Sequence, residues 1–156
     1  MFSHTAPSLA GWAMSAALLL VIGCDAIPRD PRGTLERVRA TKVINVGVIA
    51  TGPASSDSHP QQVLLSRLGA TTGAALHVEI AAAERVLSRL ERGDLDLVVG
   101  EMADDSPWRG RVTLLPPLVE PATEPAVVPT VAARNGENAW ISLLSAEISA
   151  VKGGGS

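Results

Sequence analysis

The chain lacks tyrosine altogether, and its other aromatic residues, three Trp and one Phe, amount to 3% of 156 positions. Few ring surfaces are therefore on offer for stacking, and the core has to be aliphatic and alanine-rich. Cysteine occurs once, which excludes an internal disulfide framework and leaves packing to supply the stability. Basic stripes are missing too: 13 Lys and Arg stand against 16 Asp and Glu, a formal charge of -3. Nucleic acid is excluded as a partner class on that ground, because such affinity rests on neutralising phosphates.

Catalytic groupings are also wanting. His59 falls in a loop-type stretch and His77 in a strand-type one, with no spacing suited to a metal. Gly47 and Gly52 lack the spacing of a phosphate-cradling loop. Asp94 and Asp96 read as a turn acid and a strand-edge acid. With no nucleophile, base and orienting group to assemble, the expectation is a non-enzyme without metal or cofactor.

What the sequence does contain begins at its amino terminus. Leu9 to Gly23, LAGWAMSAALLLVIG, is uncharged and apolar, yet shorter than the roughly 20 residues a spanning helix needs. The run closes on Val21-Ile22-Gly23-Cys24, which resembles the bacterial lipobox. That resemblance implies cleavage before Cys24 and acylation of its thiol, so residues 1–23 form a lipoprotein signal peptide. The n-region MFSHTAPS has neither Lys nor Arg, and an ordinary cleaved leader is the competing reading. Acyl chains contribute about 0.8 kcal/mol per buried methylene, enough for two or three of them to hold a protein at a membrane. Asp25 resembles an inner-membrane retention signal, so the expected location is the periplasmic side of the inner membrane.

Beyond the anchor, residues 24–33 hold the tether DAIPRDPRG, rich in Pro, Gly and charge. One small domain is expected over 34–151, with 152–156 as a flexible tail. Thr34 to Ala40 predicts a short helix capped by Thr34. Val43 to Ile49 is a branched apolar run of the kind buried on both faces of a sheet. The loop-like TGPASSDSHP follows, then a helix from Gln61 to Leu68 with Gly69 as its stop. Ala75 to Ala81 predicts a strand with Leu76, Val78 and Ile80 inward. Glu84 to Arg92 is a helix with Val86, Leu87 and Leu90 on its buried stripe, and Leu95 to Val99 is a third strand. Val127 to Ala133 predicts a further strand, and Asn138 caps a final helix bearing Ile141, Leu144, Ile148 and Val151. Alternating strands and helices with short connections predict an α/β fold, a mainly parallel sheet flanked by helices and joined by right-handed crossovers.

Three stretches resemble the bacterial extracellular solute-binding proteins of the polar amino-acid-binding type. They are Thr34-Leu35-Glu36-Arg37-Val38-Arg39 with Val43-Ile44-Asn45-Val46-Gly47-Val48, then Leu90 to Gly100 (LERGDLDLVVG), then Ser106-Pro107-Trp108-Arg109-Gly110-Arg111-Val112. The resemblance spans Thr34 to Leu118, with an echo from Val131 onward. In that family a second lobe is inserted within the first. Here the insertion point after Pro116-Pro117 holds only EPATEPAVVPT, which implies lobe one alone. A lone lobe encloses less of a ligand, so weaker binding, or a wall supplied by another chain, is the corresponding expectation.

By the same resemblance, Arg109 or Arg111 grips a ligand carboxylate, for which the guanidinium fork is suited. Both are also readable as solvated surface arginines. Ser106 caps the following turn or donates to a ligand; Trp108 forms a ligand wall or packs on the sheet. Gly100 and Glu101 are expected at the carboxyl end of a strand, where open parallel sheets bind ligands. Against amino-acid recognition stand the small polar run Ala54 to Ser58 and the lack of an acid at the start of the helix from Gln61. Two functions follow. One is a lipid-anchored solute-binding module serving uptake or sensing beside a transporter or sensor protein; the other is an envelope interaction lipoprotein with no small ligand.

Overall fold

The computed structural model describes residues 30–50, 59–103, 105–121 and 127–154. The leader, Cys24 and the loop around Ser55 lie outside the described residues.

Among the described residues, five strands and four helices form three layers. In chain order they are α1 (Thr34–Thr41), β1 (Val43–Ile49), α2 (His59–Thr72), β2 (Ala75–Ala81), α3 (Ala83–Arg92), β3 (Leu97–Ala103), β4 (Val112–Leu114), β5 (Val127–Arg134) and α4 (Asn138–Gly153). A single 3-10 turn, Pro107–Gly110, joins β3 to β4. The strand order is β2-β1-β3-β5-β4. β1 runs parallel to β2 and β3, whereas β5 runs antiparallel to β3 and β4. Four strands thus point one way and β5 alone opposes them, so the sheet is mixed but mainly parallel, as expected.

The branched run of β1 is buried on both faces because each face carries its own core. On one side Ile44, Val46 and Val48 meet Leu35 and Val38 of α1, Leu64 and Leu68 of α2, and Trp140, Leu144 and Ile148 of α4. On the other, Ile49 and Val98 meet Val86, Leu87 and Leu90 of α3, with Trp108 and Val112 at the rim. Each fully buried aliphatic side chain contributes about 1.5–3 kcal/mol, and this double core replaces the rings and disulfides the chain lacks.

Several expectations are corrected. α2 extends past Gly69 to Thr72, since Leu68 and Thr72 are buried and the Thr72 hydroxyl donates to the Leu68 carbonyl at 2.6 Å. Packing there outweighs glycine's poor helix propensity. Gly33, in the left-handed region, holds the position before α1, so Thr34 is its first helical residue and makes no side-chain cap. Glu137, not Asn138, precedes α4. The third strand starts at Leu97 and runs on to Ala103, because seven consecutive residues pair with β5. Val78 and Ile80 point outward, 51% and 60% exposed, since β2 is an outer strand that no helix covers at that end; of the three expected inward residues Leu76 alone packs against the core. His59 opens α2 instead of lying in a loop. Finally, the segment after Ser106 is a 3-10 turn leading into a short strand that sequence reading did not place: Val112, Thr113 and Leu114 pair with Arg134, Ala133 and Ala132 of β5.

Candidate functional site

The carboxyl ends of β1, β2 and β3 lie along one edge of the sheet, the place where open parallel sheets receive ligands. α2 spans about 21 Å and β1 about 23 Å by their residue counts. Since the last turn of α2 abuts the start of β2, its first turn reaches the carboxyl edge. The chain leaves β3 at that same edge and crosses the α3 face through the 3-10 turn, so that β4 begins at the opposite edge, with Val112 opposite Arg134.

Gly100 and Glu101 lie within β3, opposite Thr130 and Pro129 of β5, and not at its end. Gly100 has φ 155, and a Cβ added there would stand 2.5 Å from the Cβ of Ile49. Glycine is needed so that the end of β1 can close on β3. Glu101 is half-buried, and its side chain makes no hydrogen bond or ion pair among the described residues. Ser106 is the cap of the 3-10 turn: its hydroxyl accepts from the Trp108 N–H at 3.4 Å. Trp108 is buried among the apolar residues on the α3 side of the sheet, which makes it a core residue.

The two arginines part company here. Arg111 donates through Nε and Nη2 to the two carboxylate oxygens of Glu91 at 3.0 and 2.5 Å, and its guanidinium lies 4.3 Å from the centroid of the Trp108 ring. The hydrogen bonds to Glu91 raise its pKa above the usual guanidinium value. Arg111 thus staples β4 to α3 and covers Trp108. Arg109, two residues earlier, is exposed and has no ion pair or hydrogen bond of its side chain among the described residues.

One residue at this edge escaped sequence reasoning. Gln61, in the first turn of α2, is only 2% exposed, yet both its side-chain amide atoms lack a hydrogen-bond partner among the described residues. A buried unmatched amide costs about 1–3 kcal/mol, so native chains seldom keep one without a use. The only sequence signal was a polar residue where the helix turns inward. Gln61 belongs to the α2 face at the carboxyl edge, whereas Arg109 lies on the α3 face, on the way to the start of β4 at the other edge.

The opposite, amino edge is closed by charge. A cavity of about 190 Å³ there is lined by Arg32, Arg37, Asp96, Arg134, Glu137 and Trp140, among others. Asp96 is buried and pairs with Arg37; it also accepts from the Asn45 N–H at 2.8 Å, and its own carbonyl takes the Trp140 indole N–H at 2.8 Å. It is therefore an internal latch and not the strand-edge acid expected. Glu137, 1% exposed, accepts from the Thr34 N–H at 2.8 Å, the Arg32 N–H at 3.0 Å and Arg134 at 2.7 Å. Burial works against its ionisation, but those donors together outweigh burial and hold its carboxyl below the usual value. Paired in this way, the lining groups hold α1, α4 and the sheet together. No cluster of three or more metal-ligating side chains occurs among the described residues, and no described helix is long and apolar enough to cross a membrane.

No protein-family profile and no curated protein matches the sequence. Solved structures do. Domain 1 of TmArgBP in its arginine-bound form superposes with a TM-score of 0.62 at 11% identity, over 73% of this chain and 97% of that one. A point mutant of the same arginine-bound domain gives 0.64 at 12% identity, over 76% and 98%. An ancestral cationic amino acid solute binding protein gives 0.60 at 13% identity, over 78% and 95%. The shared property at such identities is the fold: the described part of this chain is a single α/β domain with the architecture of one domain of a solute-binding protein.

Proposed function

We propose that this protein is a lipid-anchored, periplasmic solute-binding-like module. It is accessory to the uptake or sensing of a small polar solute with a carboxylate, an amino acid or a simple organic acid, beside a transporter or sensor protein. The observation that carries the reading is the division of labour between the two arginines. Arg111 is consumed by Glu91 and Trp108, while Arg109 is left exposed and unpaired on the turn that crosses the α3 face after the carboxyl end of β3. Arg109 grips the carboxylate, and Ser106 and Gly100 shape the turn and strand beside it; Glu101 projects from the other face of β3. Domain 1 of TmArgBP in its arginine-bound form supports the idea that one such domain can hold a ligand without an opposing lobe.

The test is thermal. A soluble form beginning at Asp25 is melted against amino acids and small carboxylates, because a ligand that binds only the folded state raises the melting temperature. A shift that disappears with Arg109→Ala and survives Arg111→Ala supports the reading; a flat response to all of them defeats it. Lipidation at Cys24 has a separate test, the mass of the mature protein from membranes: an unprocessed chain or a free thiol would rule it out.

A second reading, an envelope interaction lipoprotein with no solute, is favoured by one observation, the exposure of Val78 and Ile80 on β2. A flat thermal screen together with specific co-purification of a membrane protein selects it.

A further inference from the structure

β2 bounds the sheet on one side: it pairs with β1 along seven consecutive residues, and among the described residues no strand lies on its other side. Natural sheets blunt such an edge with lysine, proline, a bulge or a covering segment. β2 reads ALHVEIA, without Lys or Pro, and its register with β1 is unbroken. It also presents Val78 and Ile80 to solvent beside the half-buried Leu76. An edge left both open and apolar is built for pairing.

We propose that β2 pairs antiparallel with β2 of a second copy of this chain, about a two-fold axis at Val78, fusing two five-stranded sheets into one. The strand's own sequence selects this register. Centring on Val78 sets Leu76 opposite Ile80 and Val78 opposite Val78 on one face, and His77 opposite Glu79 on the other. Opposed side chains share a face, and such apolar and donor–acceptor pairs stabilise a ladder. Moving the axis to Glu79 brings two carboxylates face to face, which is unfavourable. Moving it to His77 leaves Glu79 opposite Ala75, and a one-residue slip sets Val78 against His77. Glu79 already accepts from Arg85 and Arg89 of α3, yet a carboxylate has about four acceptor sites and accommodates a further donor. The contact is isologous, so it closes at two copies and does not propagate into a fibre. It is independent of any solute.

The experiment uses the full chain. With Val78→Cys, the two-fold places the substituted positions about 4.5–5.5 Å apart between Cα atoms, within disulfide range. Mild oxidation followed by peptide mass analysis is expected to find a disulfide between the two copies at position 78, and none at the exposed control Arg109→Cys. Sedimentation equilibrium is expected to show a monomer–dimer equilibrium that His77→Glu, which opposes two pairs of carboxylates, weakens by about tenfold or more. Both changes are at exposed positions, and circular dichroism verifies that the fold is kept. A chain that stays monomeric, an indifferent response to His77→Glu, or equal cross-linking at positions 78 and 109 overturns the proposal.

Discussion

Asp30 and Glu137 exchange helix caps. Asp30, four residues before α1, accepts from the Ala139 N–H in the first turn of α4 through both carboxylate oxygens at 3.0 Å. Glu137, immediately before α4, accepts from the Thr34 N–H at the start of α1 at 2.8 Å. Each acid thus stabilises the positive end of the helix that the other precedes, with more than 100 residues of chain between them.

Removing one partner is expected to cost unequally. Glu137→Gln leaves the partly buried Arg134 without its buried counter-ion, and breaking a pair of this kind costs about 3–5 kcal/mol. Asp30→Ala removes an exposed cap and costs about 1 kcal/mol. Urea unfolding of the two variants checks the order; equal losses contradict the network.

The same carboxylate makes stability depend on acid. The folded pKa of Glu137 lies below its ordinary value, so its contribution is complete above the unfolded pKa of about 4.3. It is lost as the pH falls from there through the folded value. Melting temperatures measured down that range should drop more steeply for the parent chain than for Glu137→Gln. Parallel curves would show that Glu137 is not the group responsible.

Gly100→Ala is expected to cost about 2–4 kcal/mol, because the new Cβ meets the Cβ of Ile49 at 2.5 Å in a backbone conformation that L-residues avoid. Denaturant midpoints test this. A change near zero would mean that β1 can withdraw from β3 without penalty.

Trp108→Ala and Arg111→Ala separate core from surface. The buried Trp108 should cost about 3–5 kcal/mol. Arg111, an exposed partner of Glu91 whose pairing is screened by solvent, should cost far less. Near-equal losses would reverse the assignment of Trp108 to the core.

Gln61→Leu should leave the solute-free domain as stable as the parent or more so, by up to about 3 kcal/mol, since it removes a buried amide with no partner. Thermal melts without solute check this. A marked loss of stability would reveal a partner that Gln61 satisfies in the folded chain.

Local pattern was enough to place the buried strand from Val43 to Ile49, the helix bearing Val86, Leu87 and Leu90, and the capping role of Ser106, because each depends on side chains a few residues apart. The α/β class followed from their alternation. Pairing across long stretches of chain was illegible. The exposure of Val78 and Ile80 depends on β2 being an outer strand, and a period-two pattern does not say which strand has a neighbour. Arg109 and Arg111 are indistinguishable in sequence; only the fold brings Glu91 and the Trp108 ring to one of them and neither to the other. Asp96 read as a strand-edge acid and Glu137 gave no signal of its own; tertiary packing buries both beside arginines and backbone donors. What a residue does within its own turn or strand is written in its neighbours along the chain, whereas burial, charge pairing and an open edge depend on which distant segments the folded domain brings into contact.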